Sequence, residues 1–402
     1  MRDDGSPNVT HGGEVPARLM SSACAGMFVF GIVMAILGAI LPTLFDTISF
    51  DKAQAGNLFL FMNAGMLVMS LFFGPIVDRF GFKLFLMTCA SVVALSFLLL
   101  AKATTYEAVL AAAVLLGLGG GGLNGGTNAL ASDIHPDRRG AALNTLGIFF
   151  GFGALTMPFL IGSFLELAGL DRLLIFAAVF SLVPFALFAA MSFPKPKHAQ
   201  GFPLSQAAEV IRSPLLWLCG ALLFFQSGNE FTIGGWITSY LEEVIGVTAR
   251  AASFLLAAYW AAIMLGRLVS VRIVDRMGKG RLVLAGAAVA WIAALLVAWS
   301  PTPAAAQAGV VLLGLGFATI FPTTLAVIGE AFPRFSGTAF SVLFVIALTG
   351  GMTAPWVTGN VAHTHGLERG MLVPLVSCTM IVILQLVITR WSKLRPDDEI
   401  GR

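Results

Sequence analysis

The sequence predicts an all-α membrane protein, with twelve transmembrane helices arranged as two six-helix repeats. Three observations carry this. The 402 residues are 57% hydrophobic and only 11% charged, with a mean hydropathy of +0.89, outside the usual balance of soluble domains. Apolar runs of about 20 residues, the length that crosses a bilayer as a helix, recur along the chain. The second half also repeats the first at a constant offset of 197 residues.

The runs fall at about 20–45, 54–76, 82–102, 107–131, 141–168, 172–193, 214–240, 250–272, 281–300, 303–329, 337–362 and 368–391. Together with short connections they use nearly the whole chain, which leaves no room for a soluble catalytic domain. The first run reads as a span and not as a signal peptide. Asp3, Asp4 and Glu14 accompany Arg2 and Arg18 ahead of it, and no cleavage site is evident. Cys24, Cys89, Cys219 and Cys378 all lie in apolar spans and form no CxxC pair. They read as buried structural thiols.

Assigning alternate loops to two sides separates the charges. Of the 24 Lys and Arg, 18 fall on the side of the N-terminus and 5 on the other, with Arg267 inside a span. The positive-inside rule then places both termini and the central linker in the cytoplasm, with the chain in the cell's inner or plasma membrane. These basic residues orient the protein and form no nucleic-acid patch.

The repeat is read without gaps. VDRFG at 77–81 returns as VDRMG at 274–278, and LLGLG at 115–119 returns at 312–316. Pro136, Gly140, Gly153 and Pro158 map onto Pro333, Gly337, Gly350 and Pro355, and Gly31 and Gly38 onto Gly228 and Gly235. The expected domains are an N-terminal bundle (1–193), a linker (194–213) and a C-terminal bundle (214–402). Pro194, Pro196 and Pro203, with Lys195 and Lys197, keep the linker in water. Paired repeats support alternating access, with substrate held between them near the midplane.

GPIVDRFGFK, Gly74 to Lys83, lies where the second span ends. Gly74 allows close helix approach, Gly81 a tight turn, and Asp78 and Arg79 suit a charged latch. The second copy keeps Asp275, Arg276 and Gly278 but has Val271 at the first glycine. Here the chain resembles the major facilitator superfamily, whose loop motif Gly-x-x-x-Asp-Arg-x-Gly-x-Lys stands in full at Gly74, Asp78, Arg79, Gly81 and Lys83. The resemblance covers residues 20–391 and implies a secondary transporter gated at these loops. GGGGLNGGTNALASDIHPDRRGAALNTLGIFFGFGA and GNEFTIGGWITSYL are similar to the fucose–proton symporter and glucose/galactose branch, including its sodium-linked glucose transporter relatives. That branch carries acids where this chain has Asn124 and Gly38, so its coupling scheme departs here. The seventh-span acid, Glu230, remains.

Glu230 sits near the middle of its span, where ionisable groups are costly and face protein or a wet cavity. It suits a proton carrier, a ligand for substrate hydroxyls or Na⁺, or a structural brace. Gln226 and Asn229 precede it and Gly234-Gly235 follow it, allowing a kink or close approach. Trp236 offers an aromatic plate to a sugar ring, or a packing surface. Asn124 and Asn128, spaced i and i+4, share one helical face as a substrate-binding strip or an interhelical hydrogen-bonding pair. Arg267 is expected to snorkel or to pair with Asp275, as part of a gate. His135 reads as solvated, and His363 and His365 as no metal site. The GxGxxG at Gly117, Gly119 and Gly122 lies inside a membrane helix and is no dinucleotide fingerprint. No Walker phosphate loop occurs, and Gly147 with Gly151 reads as helix packing.

The reading is therefore a carrier, not an enzyme, of a small polar solute. A sugar is the leading class, coupling is to protons or sodium or absent, and no cofactor or metal is expected. The chain is expected to be a monomer. The runner-up is a drug or metabolite exporter, whose fifth-span Gly-Pro motif is only loosely approximated by GFGALTMPFLIG at 151–162. A non-transporting receptor or structural protein is the rival from another class, and the paired loop motifs argue against it.

Overall fold

A computed structural model describes residues 14–193, 211–299, 302–333 and 335–394. The linker predicted at 194–213 lies outside them except for its last three residues. The first half contains α1 (Glu14–Thr47), α2 (Lys52–Lys102), α3 (Tyr106–Ile134), α4 (Arg139–Ala168) and α5 (Leu170–Ala190). The second contains α6 (Pro214–Glu243), α7 (Ala249–Met277), α8 (Lys279–Ala298), α9 (Pro303–Ala331), α10 (Ser336–His365), the one-turn α11 (Leu367–Gly370) and α12 (Leu372–Leu394).

Ten of these helices are long and apolar enough to cross a membrane. Two physical details bring the crossings to the predicted twelve. The 51 residues of α2 are two helical segments that meet at Gly81 (φ 81°, ψ 160°), a turn in a region in effect open only to glycine. At 1.5 Å per residue the two segments supply about 75 Å of helix, enough to cross a bilayer core of about 30 Å twice, and they are the second and third spans. Helix α6 is diluted by Gln226, Asn229 and Glu230, yet most of it is buried among its neighbours, so it crosses inside the bundle.

The duplication recurs in the helix ends. Asp51 and Thr248, 197 apart, cap α2 and α7 by accepting from the backbone N–H three residues on, and Thr105 and Thr302 do the same for α3 and α9. The positive-φ glycines Gly81 and Gly278, and Gly169 and Gly366, keep the same offset. Each half has a tight glycine crossing in equivalent places, Gly31 against Gly153 and Gly228 against Gly350.

The two halves meet firmly at one end only. A Cβ at Gly38 of α1 would overlap the Gly234 carbonyl oxygen of α6. Gly56 of α2 packs on Gly359 of α10, and Gly162 of α4 on Ser253 of α7. Exchanging the halves by the 197-residue offset (56 to 253, 359 to 162) turns the Gly56–Gly359 crossing into the Gly162–Ser253 one, so the seal is pseudo-twofold, and Gly38 lies against its own counterpart, Gly235. Small residues let these backbones approach closely, the usual device of helix contacts in lipid. Polar links from half to half sit at this end too. Lys52 pairs with Glu243, Thr238 donates to the Gly38 carbonyl, Trp356 Nε1 donates to Asn57 Oδ1 at 3.0 Å, and His363 Nδ1 lies 3.7 Å from Asp51 Oδ2. At the opposite end, Gly74, Gly140, Gly147 and Gly337 have nothing within 4 Å of where a Cβ would be. The halves have parted there, so the close approach expected at Gly74 and Gly147 is not made in this state.

Candidate functional site

Glu230 lies on α6 one turn before Gly234, the residue that seals against α1. Gln226, one turn earlier on the same face, donates Nε2 to Glu230 Oε1 at 2.9 Å and to the Phe317 carbonyl of α9 at 3.4 Å. Across from it, Arg267 of α7 brings Nη2 to 3.8 Å from Glu230 Oε2. The expected partner of Arg267, Asp275, is corrected to Glu230. Eight residues along one helix is about 12 Å, whereas Glu230 faces Arg267 directly from α6.

The contacts of α7 show which way this pair looks. Trp260, Met264 and Arg267 follow the i, i+4, i+7 spacing of one helical face. Trp260 meets Phe150 of α4 edge-on, with ring centroids 6.1 Å apart, and Met264 lies where a Cβ on Gly151 would be. Arg267 continues that face one turn beyond the last contact with the first half. Its side chain is 32% exposed and that of Glu230 15%. Charges within spans turn towards protein or a wet cavity, not towards lipid, so this exposure belongs to the cleft between the halves. Gln226 Oε1, Arg267 Nε, Tyr259 Oη and Trp260 Nε1 are buried with no hydrogen-bond partner among the described residues. Tyr259 stands edge-on to Phe317, within electrostatic reach of both Glu230 and Arg267.

The other predicted site residues are distributed as follows. Asn124 and Asn128 bond to each other. Asn128 Nδ2 donates to the Asn124 carbonyl and to its Oδ1, both at 2.9 Å, on a half-buried face of α3. Asn229 is fully buried, with Nδ2 3.3 Å from Cys378 Sγ of α12, and so turns into the second half. Trp236 is fully buried as well. It donates Nε1 to the Pro355 carbonyl at 3.1 Å and packs on Phe59 of α2, which makes it part of the seal. In this state neither Asn229 nor Trp236 opens to the cleft. Asp78, Arg79, Asp275 and Arg276 are all exposed, and neither acid has an ion-pair partner among the described residues. Arg79 stacks on Phe80, 5.3 Å from its centroid. Lys83 of the same motif donates to the Ala189 and Met191 carbonyls at 2.6 and 3.1 Å, tying α2 to the end of α5. Gly81 and Gly278 hold φ of 81° and 77°.

Sequence reasoning misses Tyr259 and Trp260, because aromatics in an apolar run read as packing. The available signal is the spacing 260–264–267, which puts an aromatic, a methionine and the arginine deepest in the span on a single face.

Two pseudo-symmetric helical halves, sealed by glycines at one end and holding a charged pair below the seal, are the build of a membrane carrier. Residues 23–355 and 216–399 match the family model described as Major Facilitator Superfamily, and the chain belongs to that family. It is 24% identical over 417 residues to Bypass of stop codon protein 6 of Saccharomyces cerevisiae, covering 94% of this chain and 83% of that one. It is 23% identical over 392 residues to the glucose/mannose transporter GlcP of Bacillus subtilis, covering 94% and 95%. Among solved structures, a bacterial homolog to the human lysosomal transporter Spinster, inward-facing and unoccupied, superimposes with a TM-score of 0.78 at 16% identity, covering 96% of this chain and 99% of that one. Family and structural neighbours are transporters, not enzymes.

Proposed function

We propose that this chain is a secondary active transporter that moves a small polar solute by alternating access and couples its movement to protons or sodium through Glu230. The observation that carries the reading is the Glu230–Arg267 pair, set just below a glycine seal in a cleft that opens at one end only. Seal and opening are what one stage of an alternating cycle requires, and an ion pair at that depth is costly enough to need a function. In this reading the bundles 1–193 and 214–402 rock about the linker. The open end faces the cytoplasm, following the 18-to-5 distribution of basic residues. Asp78, Arg79, Asp275 and Arg276 latch that end when it closes, and the lack of an ion-pair partner for either acid among the described residues fits an open latch. Asn124 and Asn128 line the first-half wall. A sugar-like, hydroxylated solute is supported by the likeness to GlcP and by the motifs shared with the fucose–proton symporter branch.

The test is uptake by proteoliposomes of a panel of labelled sugars and other polar solutes under imposed pH or sodium gradients. One gradient should drive accumulation. In Glu230→Gln, accumulation should collapse while exchange of the same solute persists. Solute binding without flux under any gradient would sink the transporter reading in favour of a receptor.

A further inference from the structure

We infer that the transported solute carries a carboxylate, which docks on the guanidinium of Arg267. This rests on the reading of the cleft as the transport site and narrows its substrate class.

A cation within the apolar layer is costly, and a neutral polyol brings no charge to offset it. Glu230 satisfies Arg267 only in part. The one recorded approach is 3.8 Å, well beyond the roughly 2.7–2.9 Å of a charge-assisted hydrogen bond. Gln226 already donates to the other carboxylate oxygen at 2.9 Å. Arg267 Nε is buried and unpartnered, so the planar fork that suits a carboxylate is not filled. On the same helix, two turns towards the seal, two further donors are buried and unused: Tyr259 Oη, on a side chain 0% exposed, and Trp260 Nε1, on one 2% exposed. Unpaired donors in so dry a place are expensive unless something meets them during the working cycle.

The set is donor-rich. It offers a guanidinium, a phenol O–H and an indole N–H against two acceptor oxygens without a hydrogen bond among the described residues, Gln226 Oε1 and Glu230 Oε2. Such a set favours a ligand that is mainly acceptor and negatively charged, with at least one hydroxyl to give to Gln226. A hydroxylated carboxylic acid, a sugar acid among them, meets that description in full, whereas a neutral sugar meets only its hydrogen-bonding part. In the empty protein, Glu230 holds, at long range and through one oxygen, the position that a ligand carboxylate takes.

The experiment measures binding to the purified full-length protein in detergent, by intrinsic tryptophan fluorescence and by thermal shift. The probes are three matched pairs: D-glucuronate and D-glucose, D-gluconate and D-sorbitol, 4-hydroxybenzoate and 4-hydroxybenzamide. At least one acid should bind tenfold or more tightly than its neutral partner. Arg267→Gln should erase that preference, and Arg267→Lys, which keeps the charge without the fork, should fall between. If Arg267→Gln does not fold, the Glu230→Gln/Arg267→Gln double variant removes the pair together and takes its place. Neutral members binding as well as their acids, a preference that survives loss of Arg267, or no acid in the panel binding would each overturn the inference. Gradient-driven uptake of a neutral sugar that the acids do not inhibit would overturn it while leaving the transporter reading intact. If no solute at all is moved, it is the transporter reading that fails.

Discussion

Glu230 and Arg267 are each tolerated at this depth because the other is there. A lone charge in an apolar layer is penalised, and removing one partner of a buried pair costs more than removing both. Arg267→Met alone should therefore lower the melting temperature more than the Glu230→Gln/Arg267→Met double variant. In a double-mutant cycle the two changes should couple by roughly 1 kcal/mol or more. Strictly additive melting shifts would show that the 3.8 Å approach contributes nothing. Both residues are legible in the sequence as charges within spans. Their pairing is not, because it depends on how α6 and α7 are rotated about their own axes, and local spacing points Arg267 to Asp275 instead. Asn229 and Trp236 show the same limit. Sequence places them beside Glu230, but the helix turns Asn229 towards Cys378 and Trp236 towards Pro355.

Helices α1 and α6 meet through Gly38 and Gly234-Gly235, where one side chain more is too many. A Cβ at Gly38 would overlap backbone, which cannot give way as a flexible side chain can. Gly38→Val should thus keep the sealed end from closing while leaving each half folded, and net transport should fall at least tenfold. A cysteine at the seal, Thr238→Cys, should become reactive to a membrane-impermeant thiol reagent in the Gly38→Val background. Wild-type transport, together with no labelling of the introduced thiol, would remove the seal from Gly38. At this scale the sequence is most informative. The 197-residue offset read from loop motifs reappears in the caps Asp51 and Thr248, in the caps Thr105 and Thr302, and in the left-handed glycines. Caps and positive-φ turns are set by local chemistry, so a repeat of residues enforces a repeat of geometry. The turn at Gly81 is legible as well, and Gly278, 197 residues on, holds the same left-handed conformation between α7 and α8.

The molecule as a whole is sealed at the Gly38 end and parted at the Gly74 end; under the proposed alternating access this is one of two arrangements, and composition and periodicity are the same in both. What differs is the surroundings of groups that the seal buries. Glu242 is such a group, two residues past the predicted seventh span. Burial, and then the charge of Asp46 from α1, push its carboxyl up from 4.5 to about 7. Its charged neighbours at this end are Asp46 and the Lys52–Glu243 pair. When the end opens, Glu242 returns to water and to an ordinary carboxyl affinity. The sealed arrangement therefore binds the Glu242 proton more tightly than the open one, and by linkage acid favours sealing. Below about pH 4.5 the group is protonated in both arrangements and favours neither. From there upward the penalty on sealing grows, and it is complete above about pH 7. Spin labels at Thr104→Cys and Ala249→Cys, exposed on the two halves at this end, should report mainly a short distance at pH 5.5. A longer population should rise towards pH 8. Glu242→Gln, neutral at every pH, should hold the short distance throughout. A distance distribution in the otherwise wild-type protein that does not change from pH 5.5 to 8 would show that Glu242 has no part in setting which end is open.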